Sequence, residues 1–296
     1  MPLFHARRAT VVQSLTKSIR LLLPADPGPE RMLDAVRQYN PAANHALGGG
    51  ICVDGGHFNL SSLLRVDAEL AQEAGLSPDI TAAYFVNWQP TARGAERQTQ
   101  VQRYREQAAC LLSGLAARFG GSSVPPCEQA GAALHADVYT PRQVDAAGLS
   151  ALVSRRVPAL AGAPVSGLDD RQAISLIARR EPGDEREGRC DLGVVTVRGN
   201  GVPFGVEYWP PGIAVQPIMR DWTGGRSLAV LARLGMMKLA DLSMIVVRAD
   251  QPTLSADPGV ARAVAEAGLG LAADTGGICV DPFGFAVRSP DDLVFR

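Results

Sequence analysis

The chain has no run approaching the roughly 18 consecutive apolar residues that a membrane-spanning helix needs. No membrane partner is expected. Aromatic residues are scarce, at 5%, which disfavours a row of stacking platforms for single-stranded nucleic acid. Neither charge is in excess: 29 basic and 30 acidic side chains leave a net charge of −1. That balance removes the global electrostatic argument for a nucleic-acid partner. The five cysteines (Cys52, Cys110, Cys127, Cys190, Cys279) are odd in number, widely spaced and without a Cys-x-x-Cys pair. They read as reduced thiols of a cytoplasmic protein, not as a disulfide framework. Residues 1–25 carry Arg7, Arg8, Lys17 and Arg20 but no continuous apolar stretch of the signal-peptide kind. They read as a short basic N-terminal arm.

Catalytic signatures are missing too. There is no Walker A sequence, no Gly-x-Ser-x-Gly and no His-Glu-x-x-His. Ser14-Leu15-Thr16-Lys17 fits Ser-x-x-Lys, but the companion motifs of the acylating enzymes are lacking. Gly199-x-Gly201-x-x-x-Gly205 departs from the dinucleotide fingerprint and does not open a helix. A metal set of His45, Cys52, Asp54 and His57 matches no standard spacing. No metal is expected, and no cofactor is assigned. Cys127, in a Pro-rich loop, reads as the most exposed cysteine, and His135 is a conceivable partner for it.

One short stretch occurs twice. Gly49-Gly50-Ile51-Cys52-Val53-Asp54 near the start returns as Gly276-Gly277-Ile278-Cys279-Val280-Asp281 near the end. In each copy a phenylalanine follows at the same offset (Phe58, Phe285). An internal repeat is the first inference from such a match. In both copies the glycines suit a helix exit, Ile-Cys-Val a buried strand, and Asp the start of a turn.

The rest of the chain fits an alternation of strands and helices. Residues 19–23 are a short apolar run, and prolines at 24, 27 and 29 break it. Met32, Leu33, Val36 and Tyr39 then fall on one helical face. Residues 82–88 read as a strand and 96–119 as the strongest helix, closed by Gly120-Gly121. Residues 134–139 read as a strand and 145–153 as a helix. Residues 158–170, rich in Pro, Gly and Ala, read as a linker. Residues 173–178 read as a strand or short helix. Residues 192–197 and 202–208 flank Asn200-Gly201, a hairpin signal because both turn residues tolerate positive φ. A helix is expected over 226–237, a strand over 244–247, a helix over 259–267 and strands at 278–280 and 285–287.

The expected fold class is α/β to α+β. It has mixed sheets from repeated β-α-β-β modules of the ferredoxin-like kind and a β-hairpin-rich central segment. The expected organisation is N-terminal modules over 1–157, a linker over 158–170, and residues 171–296 as the hairpin segment plus a module repeating residues 19–66.

Two functions of different class follow. The first is a non-enzymatic interaction or scaffold protein that binds a protein or peptide partner through long loops, or pairs with a second copy. Trp209, Trp222 and Arg226 are its binding candidates, since rigid aromatics in irregular loops are enriched at interfaces. The second is a hydrolase using paired carboxylates, with or without a divalent metal, at the interface of the terminal repeats. Its catalytic candidates are Asp54, Asp281 and the asymmetric His57, which has no counterpart in the second copy.

Overall fold

The structure is a computed structural model. It describes residues 2–54, 58–127, 134–144, 146–163, 165–167, 195–199, 201–209, 242–250 and 257–295. The expected elements at 173–178 and 226–237 lie outside the described residues, as do His57, Cys190, Trp222 and Arg226. The chain divides into two compact units. The first holds Met1–Ala130, Phe283–Phe285 and Phe295–Arg296; the second holds Gly131–Pro282 and Ala286–Val294. Both are mixed α/β units built on antiparallel sheets.

In the first unit helix α1 (Pro2–Lys17) precedes strand β1 (Arg20–Leu23) and helix α2 (Pro29–Tyr39). Pro29 suits the first helical position, where its missing N–H costs nothing. The apolar stripe of α2 buries Met32, Leu33, Val36 and Tyr39, as its spacing predicts. Three short strands follow, β2 (Asn44–His45), β3 (Ile51–Asp54) and β4 (Phe58–Leu60). Then come β5 (Leu64–Arg65), α3 (Ala68–Glu73), β6 (Ala82–Trp88), α4 (Ala95–Phe119) and β7 (Ser122–Val124). The sheet order is β2-β3-β4-β6-β1-β7, with β5 also on β6.

Alternation along β1 sends Leu21 and Leu23 to one face and Leu22 to the other. Leu22 joins Ala83, Leu15 of α1, and Leu70 and Ala71 of α3 in one buried cluster. Helix α4 covers the opposite face, where the rings of Tyr104 and Phe58 stack at 6.1 Å. The N-terminal segment expected as a loose basic arm is thus a helix through Lys17, anchored by the fully buried Leu15.

In the second unit β8 (His135–Thr140), α5 (Ala146–Arg156), a short 3-10 turn (Pro158–Leu160), β9 (Val165–Gly167), β10 (Val195–Val197) and β11 (Phe204–Trp209) come first. Strand β12 (Ser243–Ala249), α6 (Pro258–Thr275), β13 (Ile278–Val280) and a final 3-10 turn (Pro290–Leu293) complete it. The sheet order is β13-β8-β12-β11-β10-β9. The hairpin expected around Asn200-Gly201 is present: β10 pairs with β11, Val197 opposite Val206, and Gly201 has a φ of +77°.

Two expectations meet a different arrangement. The division between units falls at Ala130/Gly131, and the segment expected as a linker carries the Pro158–Leu160 turn and β9. Pro and Gly there serve tight turns inside a unit. The two Gly-Gly-Ile-Cys-Val-Asp copies also sit in unlike places. Strand β3 lies between β2 and β4 and follows a strand, whereas β13 stands at the end of its sheet beside β8 and follows a helix; the return expected over 285–287 reaches it in a single antiparallel bridge, Val280 to Ala286.

The glycine pair ahead of β13 has its structural match elsewhere, after α4. Gly120 (φ +70°) caps α4 and Gly276 (φ +65°) caps α6, both left-handed. A Cβ on Gly121 would meet Leu22 O at 2.2 Å, and one on Gly277 would meet Tyr139 O at 2.5 Å.

In the second unit α5 and α6 are tied by charge. Asp274, near the end of α6, accepts Arg156 Nε at 2.8 Å and pairs with Arg155 Nη2 at 2.7 Å. The Arg156 hydrogen bond, supported by Arg155, holds the Asp274 carboxyl down at about 2. A depressed folded value stabilises above the ordinary carboxylate value of 3.8, and that contribution disappears as pH falls through about 2. In a chemical-shift titration Asp274 is therefore expected to titrate near 2, and Arg156→Ala is expected to return it toward 3.8. An unchanged midpoint in that variant would remove the pairing as the cause.

Candidate functional site

A cluster of ionisable and aromatic side chains lies on one face of the second unit's sheet. Helix α6 fixes which face this is. A Cβ on Gly268 would lie 2.9 Å from Cys279 Sγ and 3.0 Å from Ala136 Cβ, so α6 packs against the Ala136, Val138 and Cys279 side. Alternation sends His135, Asp137 and Tyr139 to the other side.

Register then lays three rows across β8, β12 and β11. Tyr139, Met244 and Trp209 form an aromatic-apolar row. Asp137, Val246 and Glu207 form the next, and His135, Arg248 and Gly205 the third. Residues directly opposite share a face and touch.

The rows grade from apolar to charged. Met244 and Val246 are buried, and Trp209 is 8% exposed; its indole N–H has no acceptor among the described residues. Asp137 is 2% exposed. A carboxylate taken so far out of water needs partners, and His135 Nε2 lies 3.6 Å from Asp137 Oδ2. Arg248 Nε lies 3.7 Å from Glu207 Oε1. Gly205 stands opposite Arg248, and the space a Cβ would fill there is taken by Arg198, whose Cγ would be 3.0 Å away. Arg198 donates from Nη1 to Asp250 Oδ1 at 3.2 Å. The outer end of the face thus presents the exposed Arg198 and Asp250 and the partly buried Arg248 and His135 above the buried Asp137. It offers charge of both signs, one imidazole beside a carboxylate, and an aromatic row behind.

Sequence reasoning did not single out Asp137, Glu207 or Arg248, and it considered His135 only as a partner for Cys127. The available signal was the polar alternation His135-x-Asp137 inside an otherwise apolar strand. Glu207 and Arg248 join that pair only through strand register.

Of the residues singled out from the sequence, Asp54 belongs to the first unit and Asp281 and Trp209 to the second. Asp54 ends β3 in the first unit, opposite Phe58. The register shifts between Cys52 and Asp54, which breaks the simple alternation expected there. Asp281 follows β13 in the second unit and is fully buried. Trp209 lies inside β11, not in a loop. Cys127, expected to be exposed, is buried with its sulfur 2.8 Å from that of Cys110. Burial pushes the Cys279 thiol well up, assisted by the nearby carboxylates of Asp137, Asp281 and Asp292.

Among the described residues no group of three or more His, Cys, Asp and Glu side chains is placed to hold a metal, and no helix is long and apolar enough to cross a membrane. No protein-family model, curated protein or solved structure matches the chain.

Proposed function

We propose that the chain is a non-enzymatic, cytoplasmic interaction protein made of two duplicated ferredoxin-like modules. With α1, β5 and α3 of the first unit set aside as additions, each unit runs strand, helix, two short strands, two strands, helix, strand. The four principal strands take the order β7-β1-β6-β4 in one and β13-β8-β12-β11 in the other, the split β-α-β arrangement in both. Register supports duplication position by position. Leu22 pairs with Ala83 and Ser122 as Tyr139 pairs with Met244 and Ile278. Phe58 pairs with Trp88 as Phe204 pairs with Ala249.

The single observation that carries a binding role is the charged border on one face of the second unit's sheet. In the first unit the matching face holds Leu22, Ala83 and Phe85 under α1 and α3. At the matching positions the second unit holds Tyr139, Met244 and Val246, bordered by His135, Asp137, Glu207 and Arg248. The matched positions are apolar in both units, and those of the second are buried; its charged border, with the exposed Arg198 and Asp250, is suited to recognition of a protein or peptide segment, or of a second copy. Trp222 and Arg226, in the connection between β11 and β12, are proposed to extend this contact.

The test is affinity capture with the full chain and three variants, Arg198→Glu, Trp222→Ala and Arg226→Ala, with light scattering to register self-association. Arg198 is exposed, so its reversal is expected to change stability by only about 0.5 kcal/mol. Loss of a defined partner in the variants at unchanged melting temperature supports the reading. Identical capture by all four chains refutes it.

The hydrolase reading on Asp54, His57 and Asp281 is retained because Asp281 is a fully buried carboxylate. Its test is hydrolysis of activated ester and phosphoester substrates. Activity lost in both Asp54→Asn and Asp281→Asn, with folding intact, would favour it over binding. No turnover above buffer would remove it.

A further inference from the structure

The first unit holds a second kind of chemistry. Cys110 lies on α4, and Cys127 lies in the chain that leaves β7. Their sulfurs are 2.8 Å apart, and both side chains are buried at 8–9% exposure. We propose that Cys110 and Cys127 are an oxidation site, a dithiol that hydroperoxides convert to a disulfide joining α4 to the exit of β7.

Three contacts hold the pair in place. Ser113 sits one turn after Cys110, on the same face of α4. Its hydroxyl accepts the Cys127 backbone N–H at 2.8 Å. The same hydroxyl lies 2.8 Å from Ser123 Oγ, on β7. Ser113 thus fastens both ends of residues 123–127 to the helix and sets Cys127 over Cys110. A disulfide bond is near 2.04 Å, so the sulfurs need to approach by only roughly 0.8 Å.

The other described cysteines lack this arrangement. The Cys279 thiol is buried and pushed well up, away from the thiolate form that reacts. Cys52 is half-buried on β3.

The chemistry balances with one peroxide. The Cys127 thiolate attacks a peroxide oxygen, the O–O bond breaks, and a sulfenic acid and hydroxide result, the hydroxide becoming water with the proton the thiol had released. The Cys110 sulfur then attacks the sulfenyl sulfur. An S–S bond forms, the S–O bond breaks, and the oxygen leaves as a second water with the two remaining protons. Two thiols are oxidised by two electrons and hydrogen peroxide is reduced to two waters. A disulfide oxidant such as oxidised glutathione reaches the same product by exchange.

The experiment uses the full chain, treated with a few equivalents of hydrogen peroxide, then alkylated, digested with trypsin and mapped by mass spectrometry. Cleavage after Arg105, Arg118 and Arg142 puts Cys110 and Cys127 on separate peptides, 106–118 and 119–142. The expected result is a disulfide-linked pair of these two peptides and the loss of two of the five titratable thiols. Both are reversed by dithiothreitol, and both are absent when the chain is unfolded in urea and its thiols are blocked before oxidation. Ser113→Ala is expected to slow formation severalfold, because Cys127 loses its anchor. Recovery of both peptides singly alkylated, or linkage of either cysteine to Cys52, Cys190, Cys279 or a second chain, overturns the proposal.

Discussion

Phe285→Ala is expected to destabilise the first unit by about 3–5 kcal/mol, the range for deleting a fully buried phenylalanine. Phe285 has no solvent exposure. Its ring lies 5.2 Å from that of Tyr39 on α2 and carries the Arg118 guanidinium 4.1 Å from its centroid. Helix α4 is bare where the ring enters: a Cβ on Gly114 would lie 2.2 Å from Phe285 Cε2. A cavity the size of a benzyl group cannot be closed there without moving α2 or α4. The truncation also removes a cation–π contact, which adds to the transfer loss. Urea melts followed by amide exchange in α4 read the effect within the first unit, and Phe285→Leu is expected to recover about half of it. A loss below about 1 kcal/mol would show that the residue is not part of that core.

How much of this was legible in the sequence depended on whether the signal was local. Strand β6 was placed at its observed ends and α4 to within one residue, because both are long and cleanly patterned. The Asn200-Gly201 hairpin was legible because its turn imposes a backbone requirement that few residues meet. Helix α1 was missed because residues 2–17 show no clear apolar stripe; it is the tertiary contact of Leu15 that anchors it. The doubled hexapeptide misled for the opposite reason. Glycines before a strand, Ile-Cys-Val in it and Asp after it answer local demands that two different places in the sheets both make. The pairs matched by position in the sheets, Gly121 with Gly277, Phe58 with Phe204 and Val86 with Val247, are scattered single identities that no short stretch of sequence displays.

The candidate site was less legible than the fold. His135 and Asp137 are two apart in one strand, and their shared face follows from alternation alone. Arg248 and Glu207 come from strands far off in sequence, and a one-residue slip would have sent both to the helix side. Asp54 and Asp281 drew notice as a matched pair, yet the match was between an interior strand and an edge strand.

The exits of α4 and α6 give the sharpest test of that frame. Gly121→Ala and Gly277→Ala are each expected to cost about 3 kcal/mol or more, the upper end for forced overpacking. The added methyl meets a backbone carbonyl of the neighbouring strand at 2.2 or 2.5 Å, and a strand held in its ladder on both sides cannot yield. The preceding glycines, Gly120 and Gly276, have positive φ but open space around the Cβ position. Alanine there pays only the left-handed backbone term, about 1–2 kcal/mol. The ranking therefore inverts the usual expectation that the positive-φ glycine is the irreplaceable one. Melting of the four single variants decides it. Matching penalties at Gly121 and Gly277, both above those at Gly120 and Gly276, support one frame used twice. If Gly277→Ala were no worse than Gly276→Ala while Gly121→Ala unfolded the first unit, the two exits would not be equivalent. The position-by-position duplication would then fail.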